Sequence, residues 1–300
     1  LGDVYKRQVF QIIENADTAI LALQNGEVDA YQMTPQQVKK LDLDASNLTA
    51  YSYTEGRVGY LQINCNRVTD ENVRKALLFA MDRKAMDDAA FESDEYYSIP
   101  YTFLPTNSQF YTEDGVEKYE QDVDKAKSML EEAGVSGLKL KLGYISSDAV
   151  QSAQALLIQE QLKEVGVTVE LAGGDGTAIA NAMKDPDNEY DMYLGGYIMG
   201  IDPDTFSSLF ENDGAYNYMH YSGYDTINQL FEEGRSELDE SARKETYAKL
   251  QAAVQDTGAF YPIISNNKIL VVNNRIQGVE DAGLVPVYTF EDTSSLKIAE

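Results

Sequence analysis

Few residues in this chain have the types and spacing that chemistry requires. Asp256-Thr257-Gly258 spells the triplet of the aspartic proteases. That chemistry needs two carboxylates sharing one proton, so a second copy is required. The chain holds one copy, at the end of an apolar-periodic segment where Gly258 reads as a helix stop. Gly173-Gly174-Asp175-Gly176 has the glycine content of a phosphate loop. It lacks both the Gly-Lys-Ser/Thr ending and the spacing of a dinucleotide fingerprint, so it reads as a tight turn. The acidic run from Asp185 to Asp191 misses the central glycine and distal glutamate of a calcium loop, and reads as a solvated turn. His220 is the only histidine, and no Gly-x-Ser-x-Gly elbow accompanies it. Cys65 is the only cysteine, which excludes an intrachain disulfide and any zinc or iron–sulfur framework. No catalytic constellation assembles, and no metal or cofactor is expected.

A binding site is a better prospect. Tyr190 to Leu194 reads as a strand that delivers Gly195-Gly196, Tyr197, an irregular turn at 198–201 and then Asp202-Pro203 at the head of a short helix. Glycines allow close approach of another backbone, and an aromatic side chain beside them supplies a wall. The same pattern also describes an ordinary strand–turn–helix connection.

Composition narrows the partners. Acidic residues outnumber basic ones 50 to 24, for a formal charge of -26, which argues against nucleic acid or anionic membrane as a direct partner. With 21 tyrosines and no tryptophan, any aromatic recognition surface must be built from Tyr and Phe. No apolar run is long enough to span a bilayer. The first eight residues fit nothing downstream and read as a junction or foreign sequence, so the lack of a leader there says nothing about compartment.

The elements alternate. Val9–Ile13 reads as a strand, followed by a helix capped at Asn15 or Asp17 with Ala16, Ile20 and Leu23 inward. A strand at Ala30–Met33 and a helix opened by Thr34-Pro35 complete a βαβα unit, which builds parallel sheets. Leu48–Thr54 and Val58–Ile63 are expected as two strands about Glu55-Gly56. Asp70 caps an amphipathic helix carrying Val73, Ala76, Leu77, Ala80 and Met81, and another helical turn or two follows at Lys84–Phe91. Glu92 to Gln121 is irregular and rich in Tyr and Phe, a functional or surface-wrapping segment. From Asp122 to Leu194 a β-α-β-α-β succession predicts parallel strands with right-handed crossovers. A helix capped at Asp225, another that begins at Ser241 or Glu240, two strands at Phe260–Ile264 and Ile269–Val272, and an extended acidic tail close the chain.

Three passages resemble the family 5, or oligopeptide- and dipeptide-type, extracellular solute-binding proteins of ABC importers. They are Ala19-Ile-Leu-Ala-Leu-Gln-Asn-Gly-Glu-Val-Asp-Ala30, Asp70-Glu-Asn-Val-Arg-Lys-Ala-Leu-Leu-Phe-Ala-Met-Asp-Arg83, and the run from Tyr190 through Asp202-Pro203 and Asn217-Tyr-Met-His-Tyr221 to Arg243-Lys-Glu-Thr-Tyr247. The resemblance covers residues 9–300. It implies an α/β, periplasmic-binding-protein-like two-lobe fold of the type II, cluster C-like kind with its N-terminal part missing. Lobe I would be partial, at 9–62 plus 265–300, with lobe II at 63–264 and the hinge at the two crossings.

What the resemblance implies about function is capture of an oligopeptide between hinged lobes, without catalysis. The partners would be an ABC permease and its ATPase subunits, the protein monomeric and extracellular or periplasmic, with a lipid anchor open as part of the missing N-terminus. Carried over position by position, Gly196 and Tyr197 match the family's glycine–tryptophan of the ligand cleft, with Tyr in place of Trp. Ile198 and Met199 follow at positions touching ligand backbone. The family's amine-pairing aspartate would fall at Met199 or Gly200, leaving Asp202 as the nearest carboxylate. Asn217, Ser265 and Asn266 match cleft-lining or hinge positions, and Tyr60 sits at the first crossing. A glycan or small charged solute, a hydrolase with an acidic cleft, and a sensory receptor stand as alternatives.

Overall fold

Short polar side chains start the helices. Asn15, Thr34, Asp70, Asp122, Asp148, Asp175 and Asp239 each accept a hydrogen bond from a first-turn N–H, satisfying donors that the helix itself cannot. Part of the chain's acidity is therefore spent on capping. The computed structural model describes residues 9–91, 94–198, 200, 202–286 and 288–299. The chain forms two compact units, one made of the segments ending at Glu55 and beginning at Asn267, the other of Gly56–Asn266. Sequence reading put the divisions at 62/63 and 264/265.

In order, the elements are α1 (Ala16–Gln24), β1 (Ala30–Met33), α2 (Pro35–Val38), β2 (Leu48–Ile63), α3 (Glu71–Phe79), α4 (Arg83–Phe91), β3 (Tyr97–Ser98), α5 (Val123–Glu132), β4 (Lys139–Ile145), α6 (Ala149–Glu164), β5 (Thr168–Gly174) and α7 (Gly176–Met183). Then come β6 (Met192–Ile198), α8 (Ser207–Phe210), α9 (Tyr224–Ser236), α10 (Glu240–Asp256), β7 (Phe260–Asn273) and four two-residue strands, β8 (Ile276–Gln277), β9 (Leu284–Val285), β10 (Thr289–Phe290) and β11 (Lys297–Ile298).

In the larger unit the sheet order is β7-β2-β6-β4-β5, with β3 on β7. As expected, β4 pairs in parallel with β5 and β6. The β2–β6 pair is antiparallel, with Arg57 opposite Ile198 and Ile63 opposite Met192. Both faces are covered. One face packs Leu61, Ile63, Leu142 and Leu194 against Val73, Leu77 and Ile158, and the other packs Val58 and Tyr60 against an aromatic cluster of Phe103, Phe206, Phe210, Phe231, Tyr247 and Phe260.

In the smaller unit β1 pairs antiparallel with β7, Ala30 opposite Val272 and Met33 opposite Ile269. Its core is Tyr53, Leu270, Val272 and Val279, and Ala19, Ala22 and Leu23 form the buried face of α1.

Several expectations are corrected. β1 is antiparallel to its neighbour, because the βαβα unit never meets a parallel partner among the described strands. Val9–Ile13 forms no strand, since no described strand runs beside it to complete a ladder. The two paired runs at 48–63 and at 260–273 are each one continuous strand, Gly56 being absorbed into β2 at φ +74. Gly173 and Gly174 end β5 rather than forming a free turn, and Asp175 is a cap. The cap position of α9 is Gly223, with Asp225 in its first turn. The irregular 99–121 segment buries Phe103, Leu104, Phe110 and Tyr119, so it builds the core. Asp191 is no solvated turn residue. It is buried and accepts from Arg67 Nε and Lys141 N, each at 2.7 Å.

Candidate functional site

β6 carries the site because its two edges differ. Along one edge it pairs with β2 over all seven of its residues. On the other edge β4 pairs only at Met192 and Tyr193 and then diverges. From Leu194 to Ile198 that edge is open among the described residues, and every second residue there presents an N–H and a C=O with no ladder partner. The open length coincides with Gly195-Gly196-Tyr197-Ile198.

Each glycine of the pair admits a side chain from β2. A Cβ at Gly195 would lie 2.7 Å from the Tyr60 ring and 3.0 Å from the Tyr193 ring. A Cβ at Gly196 would lie 2.7 Å from Arg57 Nε, and closer still to its Cζ and Nη2. Because side chains alternate along a strand, Tyr60 covers one face and Arg57 the other. Tyr60 is buried and packs at a tilt against Phe260 with ring centroids 4.8 Å apart. Burial holds its hydroxyl well above the usual tyrosine value, so it stays protonated. Arg57 donates from Nη1 to Asn266 Oδ1 at 3.3 Å.

Tyr197 leans on the aromatic cluster, 5.6 Å from Phe206, and its hydroxyl shares a hydrogen bond with Ser208. Tyr216 packs edge-on against it at 5.5 Å and is 46% exposed, while Ile198 is 49% exposed. These side chains line the open edge with apolar surface that a ligand can cover.

The remaining expected residues are placed elsewhere in the same unit. Asp202 caps the short 3-10 turn at Pro203–Phe206 through Asp204 N at 3.0 Å, and Arg243 Nη2 lies 3.0 Å and 3.2 Å from its two oxygens. Asn217 is buried. Its amide donates to Glu211 O, and its oxygen accepts from the Tyr224 hydroxyl at 2.7 Å and from Met219 N at 3.3 Å. Ser265 is buried on β7 opposite Ser98, and its hydroxyl has no hydrogen-bond partner among the described residues. Met199 lies outside the described residues. Among the residues weighed for chemistry, His220 Nε2 lies 2.9 Å from Met183 O, and burial pushes the Cys65 thiol up to about 11.

Sequence reading missed Arg57, Gly59 and Tyr216. Alternation in Arg57-Val-Gly-Tyr-Leu was legible and puts Arg57 and Gly59 on one face. The strand facing them was not.

A model of the bacterial extracellular solute-binding proteins, family 5 (middle portion), matches residues 4–218. The oligopeptide-binding protein AppA of Bacillus subtilis (strain 168) is 25% identical over 290 residues, covering 88% of this chain. The chain spans about half the length of that relative, 52%. The solved ABC transporter substrate binding protein CtaP of Listeria monocytogenes superposes with a TM-score of 0.89 at 37% identity, covering 97% of this chain and 60% of that one. The solved B. subtilis AppA, in complex with a nonapeptide, shares the fold at a TM-score of 0.75 and 21% identity, covering 96% of this chain and 60% of that one. This chain belongs to the bacterial extracellular solute-binding proteins, family 5.

Proposed function

We propose that this chain is the ligand-capturing subunit of an ABC importer and takes an oligopeptide in extended form. The observation that carries the reading is the open edge of β6 from Leu194 to Ile198. A peptide laid there would complete the ladder by strand addition, in which main-chain hydrogen bonds are independent of the peptide's sequence. Gly196 makes room for the Arg57 side chain beside that edge, while Tyr197, Ile198 and Tyr216 accept varied side chains. The nonapeptide held by the B. subtilis relative supports the same reading.

The chain would act on the outer side of the cell membrane, with the permease and its ATPase subunits as the importer it serves. Among the described residues no helix is long and apolar enough to cross a membrane. Equilibrating the protein with a mixed peptide pool and a glycan pool, then identifying the retained molecules by mass spectrometry, tests the proposal. Retained peptides of several lengths are expected, and retention of glycans alone would overturn it.

A further inference from the structure

Arg57 is unlike the other described arginines. Arg67, Arg235, Arg243 and Arg275 each hold a carboxylate, at 2.7, 2.7, 3.0 and 2.5 Å. Buried Arg74 and Arg83 direct their donors at backbone carbonyls of Thr257, Val68, Thr69, Pro262 and Lys118. Arg57 makes a single hydrogen bond, to the neutral amide oxygen of Asn266, and no carboxylate pairs with it among the described residues. A guanidinium has five N–H donors in a planar fork. In a chain where carboxylates outnumber cations 50 to 24, this half-buried arginine has none beside it among the described residues.

Two facing glycines shape the place where it lies. Gly59 and Gly196 are register partners on β2 and β6, on the same face as Arg57 and Ile198. A Cβ on Gly59 would meet Arg57 Nη1 at 3.4 Å, and one on Gly196 would meet Nε at 2.7 Å. The guanidinium thus lies across the glycine pair, over the strand whose far edge is open. Asn266 anchors Nη1, which leaves Nε and Nη2, the two-donor side of the fork, over Gly196. A strand added to that edge runs about 4.8 Å from β6, within reach of those donors.

We propose that Arg57 is a specificity-determining residue that selects ligands bearing a carboxylate where the bound chain passes Gly196. The inference rests on the peptide-binding reading and names the chemistry that reading leaves open. The carboxylate comes from a free C-terminus or from an acidic side chain, and either accepts the paired donors that Asn266 leaves unused. A neutral ligand at this position leaves the charge partly desolvated and unpaired, which weakens binding.

Calorimetric titration of the full chain with paired tetrapeptides of Ala, Ser and Tyr separates the outcomes. In one arm the C-terminus is free or amidated, and in the other Glu or Gln stands at each position in turn. The expected result is a preference of about tenfold or more for the carboxylate form in one arm, which identifies its source. Arg57→Gln is expected to abolish that preference, and Arg57→Lys to keep part of it. Equal affinity for charged and neutral partners in the parent protein overturns the role of Arg57 and leaves peptide capture standing. Weakening of both forms alike in Arg57→Gln and Arg57→Lys reduces Arg57 to packing and overturns the proposal. Failure of every peptide to bind overturns peptide capture, and the role of Arg57 falls with it.

Discussion

The guanidinium of Arg57 lies where the side chain of Gly196 would stand, one strand away and two residues along from its own register partner Ile198. Gly195, its neighbour, does the same on the opposite face for the ring of Tyr60. The two glycines therefore differ in what a methyl group would displace.

Gly196→Ala displaces the end of a flexible side chain. The expected outcome is a loss of stability of about 1 kcal/mol or less, with a larger loss of peptide affinity. Gly195→Ala instead drives a methyl into two rings, of which Tyr60 is buried in the aromatic cluster, and should cost about 1–3 kcal/mol. Urea unfolding of the two variants side by side checks the order, and a larger loss in Gly196→Ala would contradict the geometry.

Asp202 is expected to act on the fold more than on a ligand. Asp202→Ala removes the cap on Asp204 N together with the partner of Arg243. The cap should be worth about 1 kcal/mol. The ion pair adds little, because its side chains are 43% and 24% exposed to screening solvent. Thermal unfolding should shift down while peptide affinity changes by less than about threefold, which calorimetry would read directly.

Phe103 shows what an irregular segment can do. Its ring lies 4.9, 5.6 and 6.4 Å from Phe210, Phe206 and Phe231 and is fully buried. Phe103→Ala should cost about 3–5 kcal/mol, a core penalty and not a loop penalty. A midpoint unchanged in denaturant would show that the segment 99–121 is dispensable to the larger unit.

Asp87 makes stability fall as pH rises. It is fully buried between α4 and α6, and burial raises its carboxyl to about 8, against smaller opposing effects of the Gln154 hydrogen bond at 3.2 Å and the Arg83 charge. Between the unfolded value near 4 and about 8, the unfolded chain has released this proton while the folded chain keeps it. The stability contributed by the neutral acid is whole below about pH 4 and is lost progressively up to about pH 8, at no more than about 1.4 kcal/mol per pH unit. Asp87→Asn holds the site neutral at every pH. Its stability relative to the parent should therefore climb between pH 5 and pH 8, as chemical denaturation at each pH would show. A difference that stays flat would mean that Asp87 is ionised in the folded protein.

Local chemistry was legible in the residues themselves. Thr34-Pro35 and Asp70 start helices because their side chains satisfy N–H groups within three residues, a requirement that needs no distant partner. The parallel β4–β5–β6 arrangement also followed from the order of apolar runs and glycine stops, since a crossover helix constrains its own strands. The double glycine and Tyr197 marked the strand that carries the candidate site. Tertiary structure decided what that strand meets. The divergence of β4 after Tyr193 leaves one edge of β6 open, and β2 brings Arg57 and Tyr60 onto the other side from far away in sequence. Antiparallel pairing of β1 with β7 and the burial of Phe103 belong to the same class. Each depends on which distant segment arrives beside a residue, and the alternation of a single strand states which faces exist without stating what covers them.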